Sequence, residues 1–147
     1  MGGIVCAVRG GPDSRDTIET SISLAKQTSL PLHFLYVINL DFLAHTTRSS
    51  SDMVVDQMRQ MGEFILLSAQ EAANAEGVDP EGIIRQGPVK ENIIEVCQEV
   101  EADYLVLGRP ADQGKNAVFS NELLEALINE FEERSGAKVV LPGVEGE

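Results

Sequence analysis

Cysteine, histidine, positive charge and long apolar runs are all scarce in this chain of 147 residues. The two cysteines, Cys6 and Cys97, form neither a CxxC pair nor any zinc-ligand spacing. Each lies in an apolar segment, which predicts two reduced core residues. The two histidines, His33 and His45, have no partner at ligand or catalytic spacing. No Ser-His-Asp or Cys-His constellation can be placed, so no metal site and no catalytic residue is predicted, and a structural role is expected for both histidines. No apolar run is long enough to cross a bilayer, and the N-terminus lacks the pattern of a signal peptide. Both absences predict a cytoplasmic chain with no membrane partner. Lys and Arg number 11 against 24 Asp and Glu, a formal net charge of −13. That balance speaks against sequence-independent binding to nucleic acid, which needs clustered cations, and reads as a solvated acidic surface.

What the chain does have is enough apolar residues, 43%, to bury a core. Its length suits a single domain over 1–147, with no linker, internal repeat or low-complexity segment. Short apolar runs alternate with helical patterns. "GIVCAV" from Gly3 to Val8 reads as a buried strand. Asp13 or Ser14 caps a helix carrying Ile18, Ile22 and Ala25. "LHFLYVI", Leu32 to Ile38, is the second strand. After a polar loop, one long helix is expected from Asp52 to Ala75, with Val54, Met58, Met61, Ile65, Ala69 and Ala72 as its core stripe. Its methionines Met53, Met58 and Met61 are expected to pack rather than to form a binding surface.

"IIRQ" is a third strand and Gly87-Pro88 a turn. Val89, Ile93, Val96, Cys97 and Val100 mark the next helix. "DYLVLG" is the fourth strand, Leu124, Leu127, Ile128 and Phe131 mark the last helix, Gly136 stops it, and "KVVLP" is a fifth strand. The order β-α-β-α-β-α-β-α-β predicts an α/β domain with parallel strands and right-handed crossovers.

With these elements in place, the chain resembles the universal stress protein family over nearly its whole length. The resemblance rests on "IVCAVRGGPDS", "ETSISLAKQTSLPLHFLYVIN", "GIIRQGPVKENIIEVCQEVEADYLVLG" and "AKVVLP". It implies a three-layer, adenine-nucleotide alpha-hydrolase-like fold with a five-stranded parallel sheet in the order 3-2-1-4-5. The order reverses between the first and fourth strands, so a ligand crevice is expected at their carboxyl ends. Those ends are Arg9-Gly10-Gly11 and Gly108-Arg109.

ATP-binding members of the family carry a loop of the form Gly-x-x-Gly, nine residues, then Gly-Ser or Gly-Thr. The glycines let backbone N–H groups approach phosphate, and a hydroxyl and helix N-terminus complete the cradle. Here the loop reads "GRPADQGKNAVFS". Gly108 matches the first glycine, Ala111 takes the second position and Phe119 the third if Ser120 is kept as the hydroxyl, with the spacer shortened. Ser120 has a simpler use as a helix N-cap. ATP-binding members also carry Asp directly after the first strand, where this chain has Arg9. A carboxylate accepts hydrogen bonds from base or ribose and a guanidinium accepts none. Val37 fits the position whose backbone meets adenine.

The resemblance therefore implies candidate nucleotide-site residues Arg9, Gly10, Val37, Gly108, Arg109 and Ser120. They belong to a crevice that is degenerate for ATP, with ATP or AMP the nucleotides to consider. Arg9, Arg109 and Lys115 either gather on an anion or pair with carboxylates. "RGGPDS" is also similar to the Ser-Gly-Gly-x-Asp-Ser loop of PP-loop ATP pyrophosphatases, an anion nest with its first Ser replaced by Arg9.

Family members commonly dimerise through the last strand, which makes Val139, Val140 and Leu141 candidate interface residues and covers an apolar edge. The reading is a dimeric, cytoplasmic stress-response or regulatory module rather than an enzyme. A nucleotide-binding stress protein and a PP-loop-like enzyme are the alternatives.

Overall fold

A computed structural model describes residues 2–8, 14–38, 48–108 and 121–141. Nine elements alternate along it: β1 (Ile4–Ala7), α1 (Ser14–Thr28), β2 (Leu32–Ile38), α2 (Arg48–Ala75), β3 (Glu81–Gln86), α3 (Val89–Val100), β4 (Tyr104–Leu107), α4 (Asn121–Ser135) and β5 (Lys138–Val140). The strands form one sheet in the order β3-β2-β1-β4-β5, and every pairing is parallel.

Alternation along β1 shows how the sheet serves two cores. Ile4, Cys6 and Val8 face one cluster with Ile22, Ala25, Phe34, Leu66 and Ala69. Val5 and Ala7 face the other, with Ile93, Val96, Cys97, Leu105 and Phe131. Helices α1 and α2 thus cover one face and α3 and α4 the opposite one, which is the three-layer arrangement. Chain direction dictates this: β1 to β3 are wound one way across the sheet and β4 and β5 the other, so right-handed crossovers must change face. Cys6 and Cys97 are both free and buried, on opposite faces. Burial pushes each thiol up to about 12, so neither offers a thiolate at neutral pH.

Three expectations are corrected. Helix α2 starts at Arg48, four residues before Asp52, because the Ser run that reads as loop is taken into the helix. Strand β3 starts at Glu81 rather than Ile83, since the ladder to β2 continues through His33↔Glu81 and Phe34↔Gly82. Strand β5 ends at Val140, so Leu141 follows the strand and Pro142 lies outside the described residues.

The α2 stripe is also out of phase. Met58 and Ile65 pack on the core and Ala69 is buried, but Met61 is 55% exposed and Ala72 is exposed, while Gly62, Leu66 and Ala73 are buried instead. The expected stripe keeps the helical period of 3.6 residues, so it does not drift; the buried face is rotated toward Gly62, Leu66 and Ala73, where small residues let α2 approach the sheet. Met53 is exposed as well, so of the three methionines only Met58 packs against the core.

Ends of elements are closed by backbone bonds. Gly136, at φ +78, stops α4 as expected, with its N–H on the Glu132 carbonyl at 3.0 Å. At the amino end of the sheet, Asp103 N–H donates to Gly3 C=O at 2.7 Å and Lys138 N–H to Asp103 C=O at 2.9 Å. The proposed Asp13 or Ser14 cap of α1 lies outside the described side chains.

Candidate functional site

An open parallel sheet leaves a crevice where neighbouring crossovers depart to opposite faces. Here β1 lies between β2 and β4, and its crossover to β2 uses one face while β4 leaves by the other. The carboxyl ends of β1 and β4 therefore bound the crevice.

Val8 continues β1 by one residue, buried, its N–H on the Leu35 carbonyl at 2.8 Å. Strand β2 outruns β1: the last pair is Ala7↔Leu35, whereas β2 continues to Ile38. The β1–β2 ladder therefore stops short of Val37 among the described residues. The half-buried Val37 side chain packs against the α3–α4 core with Leu107 and Ile83. Gly87 N–H reaches the Ile38 carbonyl at 2.9 Å, so the start of α3 stands at the same rim. Gly108 follows β4 directly and is half-buried. The fold thus brings Val37 and Gly108 to one end of the sheet. Arg9, Gly10, Arg109 and Ser120, and with them Ala111, Lys115 and Phe119, lie outside the described residues.

The ion pairs among the described residues tie neighbouring elements together. Arg134 of α4 makes a two-pronged bond to Glu91 of α3, at 2.7 and 3.1 Å, and a third to Glu130 at 3.1 Å. Lys90 adds a bond to Glu130 at 2.9 Å. The Arg134 guanidinium holds the Glu91 carboxyl below its usual range, and Lys90, then Arg134, do the same for Glu130. Arg85 of β3 pairs with Glu99 through both prongs, at 2.6 and 3.1 Å, and lowers that carboxyl too. His33 Nδ1 stands 2.8 Å from Glu81 Oε1, across the β2–β3 ladder, which fits the structural role expected of it.

On the far side of the sheet, β5 has β4 on one flank and no strand on the other among the described residues. Val139 and Val140 are half-buried and pack against opposite cores, and Leu141 is half-buried. Lys138 N–H points to β4, so the next residue along, Val139, turns its N–H outward. That outward donor is taken: Glu132 Oε2 accepts it at 3.0 Å. The bond runs from a helix back to the strand that follows it, and no local pattern in the sequence announces it. Beside Val140 an open groove of about 590 Å³ runs along α1, lined by Asp16, Glu19, Thr20 and Leu24 among others. Its two carboxylates suit it poorly to a phosphate, and it lies along α1 rather than at the strand ends that bound the crevice.

No helix of the described residues is long and apolar enough to cross a membrane. Residues 1–133 match the model of the universal stress protein family. The chain is 21% identical over 126 residues to "Universal stress protein MJ0531" of Methanocaldococcus jannaschii, covering 85% of this chain and 74% of that one. The structure of "Universal stress protein UspA from Lactobacillus plantarum" superposes with a TM-score of 0.76 at 15% identity, covering 96% of this chain and 97% of the other. A universal stress protein solved in complex with cAMP superposes with a TM-score of 0.68 at 21% identity, covering 95% of each chain.

Proposed function

The chain belongs to the universal stress protein family, and on that premise we propose that it is a dimeric regulatory or stress-response module of the cytoplasm, one domain over 1–147, whose nucleotide crevice no longer holds ATP strongly. The observation that carries the proposal is the set of residues at the two strand ends bounding the crevice. Arg9 stands where ATP-binding relatives carry Asp, and the loop after β4 keeps Gly108 alone of three glycines, with Phe119 at the third. A Phe in place of that glycine brings a large side chain where the family loop needs bare backbone, and an Arg cannot accept a bond from a ribose hydroxyl. The chain has no catalytic group in this reading, and its work is done by binding other molecules.

Thermal unfolding with and without ATP and Mg²⁺ tests this. The expected result is no shift. Binding at a hundredfold excess over the dissociation constant would add about 2.7 kcal/mol and raise the midpoint by several degrees. Such a shift would replace the proposal with a second reading, favoured by the cAMP-bound relative: an adenine nucleotide held through Arg9, Gly10, Val37, Gly108, Arg109 and Ser120. A PP-loop-like activity would additionally release pyrophosphate.

The dimer is assigned to the last strand and its continuation, Val139, Val140 and Leu141, because no strand covers this half-buried apolar edge among the described residues. Two-fold strand pairing there has to displace Glu132 from the Val139 N–H. Val140→Lys should give a monomer in sedimentation while retaining cooperative unfolding, since the new ammonium would stand beside Asp16 and Glu19. A dimer that survives the substitution refutes this interface.

A further inference from the structure

Helix α2 has two apolar faces. Met58, Leu66, Ala69 and Ala73 turn to the sheet. On the opposite side Met53, Met61, Phe64 and Leu67 are each between 53% and 70% exposed. Met61, Phe64 and Leu67 follow one another at i,i+3 spacing and form one contiguous band, while Met53 lies on the same side of the helix more than two turns earlier, with Gln57 and Gln60 between. The band exposes roughly 300 Å² of apolar surface, the size of the largest patch on a typical monomer, which is often functional. Helix propensity does not require them there, because Gln, Glu or Lys would serve a solvated face as well.

We infer that this band docks a cationic amphipathic helical segment of another protein. The rim of the band is acidic. Asp56, Glu63 and Glu71 are exposed beside it, and none of them is in an ion pair among the described residues. Arg59 is the one cation exposed on that part of the helix among the described residues. A segment with an apolar stripe and flanking Lys or Arg meets both features at once. A second copy of the chain meets only one: each copy carries a formal charge of −13, and the rim carboxylates would face their own kind. The band is also smaller than the roughly 800 Å² per partner of a standard globular interface, but it matches one helix laid alongside another. An anionic lipid surface is disfavoured by the same rim. Two of the four apolar side chains are methionines, whose unbranched thioethers adapt to irregular partners.

The test uses the full chain and a synthetic amphipathic Leu/Lys helix as probe, followed by fluorescence anisotropy at physiological salt. Binding is expected to fall at least about tenfold in the Met61→Ser, Phe64→Ser double variant. It is expected to stay unchanged in Val89→Ser, which removes an exposed apolar side chain elsewhere, at the start of α3. Glu63→Lys with Glu71→Lys should also weaken the Leu/Lys probe and make a Leu/Glu helix of the same length the better ligand. Equal binding by the Phe64 double variant overturns the inference, because attraction would then be general to an acidic protein. A change of oligomeric state in that variant by sedimentation, or binding of the parent to anionic vesicles, overturns it in favour of a second copy or a lipid surface. All the positions changed are exposed, and a retained far-ultraviolet spectrum shows that the variants fold.

Discussion

Phe34→Ala should lose about 3–5 kcal/mol of unfolding free energy, the largest single loss expected in this chain. Phe34 is fully buried on β2, and it lies in register between Cys6 on β1 and Gly82 on β3. On one side its neighbour is a small thiol and on the other a residue with no side chain. The ring therefore fills space that neither flanking strand can supply. Collapse into the gap is resisted from above, where Leu66 and Gln70 of α2 already stand against Gly82. The loss is a large part of the roughly 5–15 kcal/mol by which a domain is stable. Urea unfolding reads it as a fall in midpoint at unchanged slope. A loss below about 1 kcal/mol would mean that the α1–α2 side repacks freely and that the core is not jigsaw-packed there.

The second expected result reverses an ordinary rule. Glycine inside a helix costs about 1 kcal/mol against alanine, so Gly62→Ala in the middle of α2 should stabilise. It should instead destabilise by about 2 kcal/mol net. A Cβ at position 62 would stand 2.5 Å from Tyr36 Cδ2 and 2.7 Å from Cε2. Tyr36 is 7% exposed and follows Phe34 by two residues on the same sheet face, so its ring has little room to retreat. The explanation has its own control. In a Tyr36→Leu background the obstacle is gone, and Gly62→Ala should then become neutral or stabilising. The same sign in both backgrounds would show that close helix-to-strand approach is not what Gly62 provides.

These two positions also show how far the sequence could be read. The five strands and four helices were legible because buried parallel strands are apolar throughout and the helices between them carry a helical period. The reversal of order between β1 and β4 came from family resemblance, and the ladders agree with it. The phase of α2 was less legible. Met61 and Ala72 look like core residues in a one-dimensional pattern, and Gly62 looks like a flaw. The contact that decides between them is with Tyr36, 26 positions earlier (62 − 36) in the sequence. Exposed methionines are equally hard to tell from buried ones by composition, since a thioether suits both settings.

Within the candidate crevice, Val37 and Gly108 were placed by their positions at strand ends, which is geometry that topology dictates. Arg9, Gly10, Arg109 and Ser120 lie outside the described residues, and their part in the proposal rests on chemistry read from residue types. The bond from Glu132 to Val139 was not legible at all. It joins residues 7 apart, in a helix and in the strand after it, and depends on where the turn at Gly136 aims the chain.

That bond has a consequence for the chain as one molecule among many in a crowded solution. An edge strand with a free outward N–H is a template on which any stray extended segment can grow into a fibril. In β5, three residues long, the outward donor at Val139 is already occupied by a carboxylate of its own chain. A stray strand arriving there finds a negative charge where it needs a donor. The bond makes the edge selective: a strand that adds to this sheet at Val139 has to offer enough elsewhere to dislodge the carboxylate.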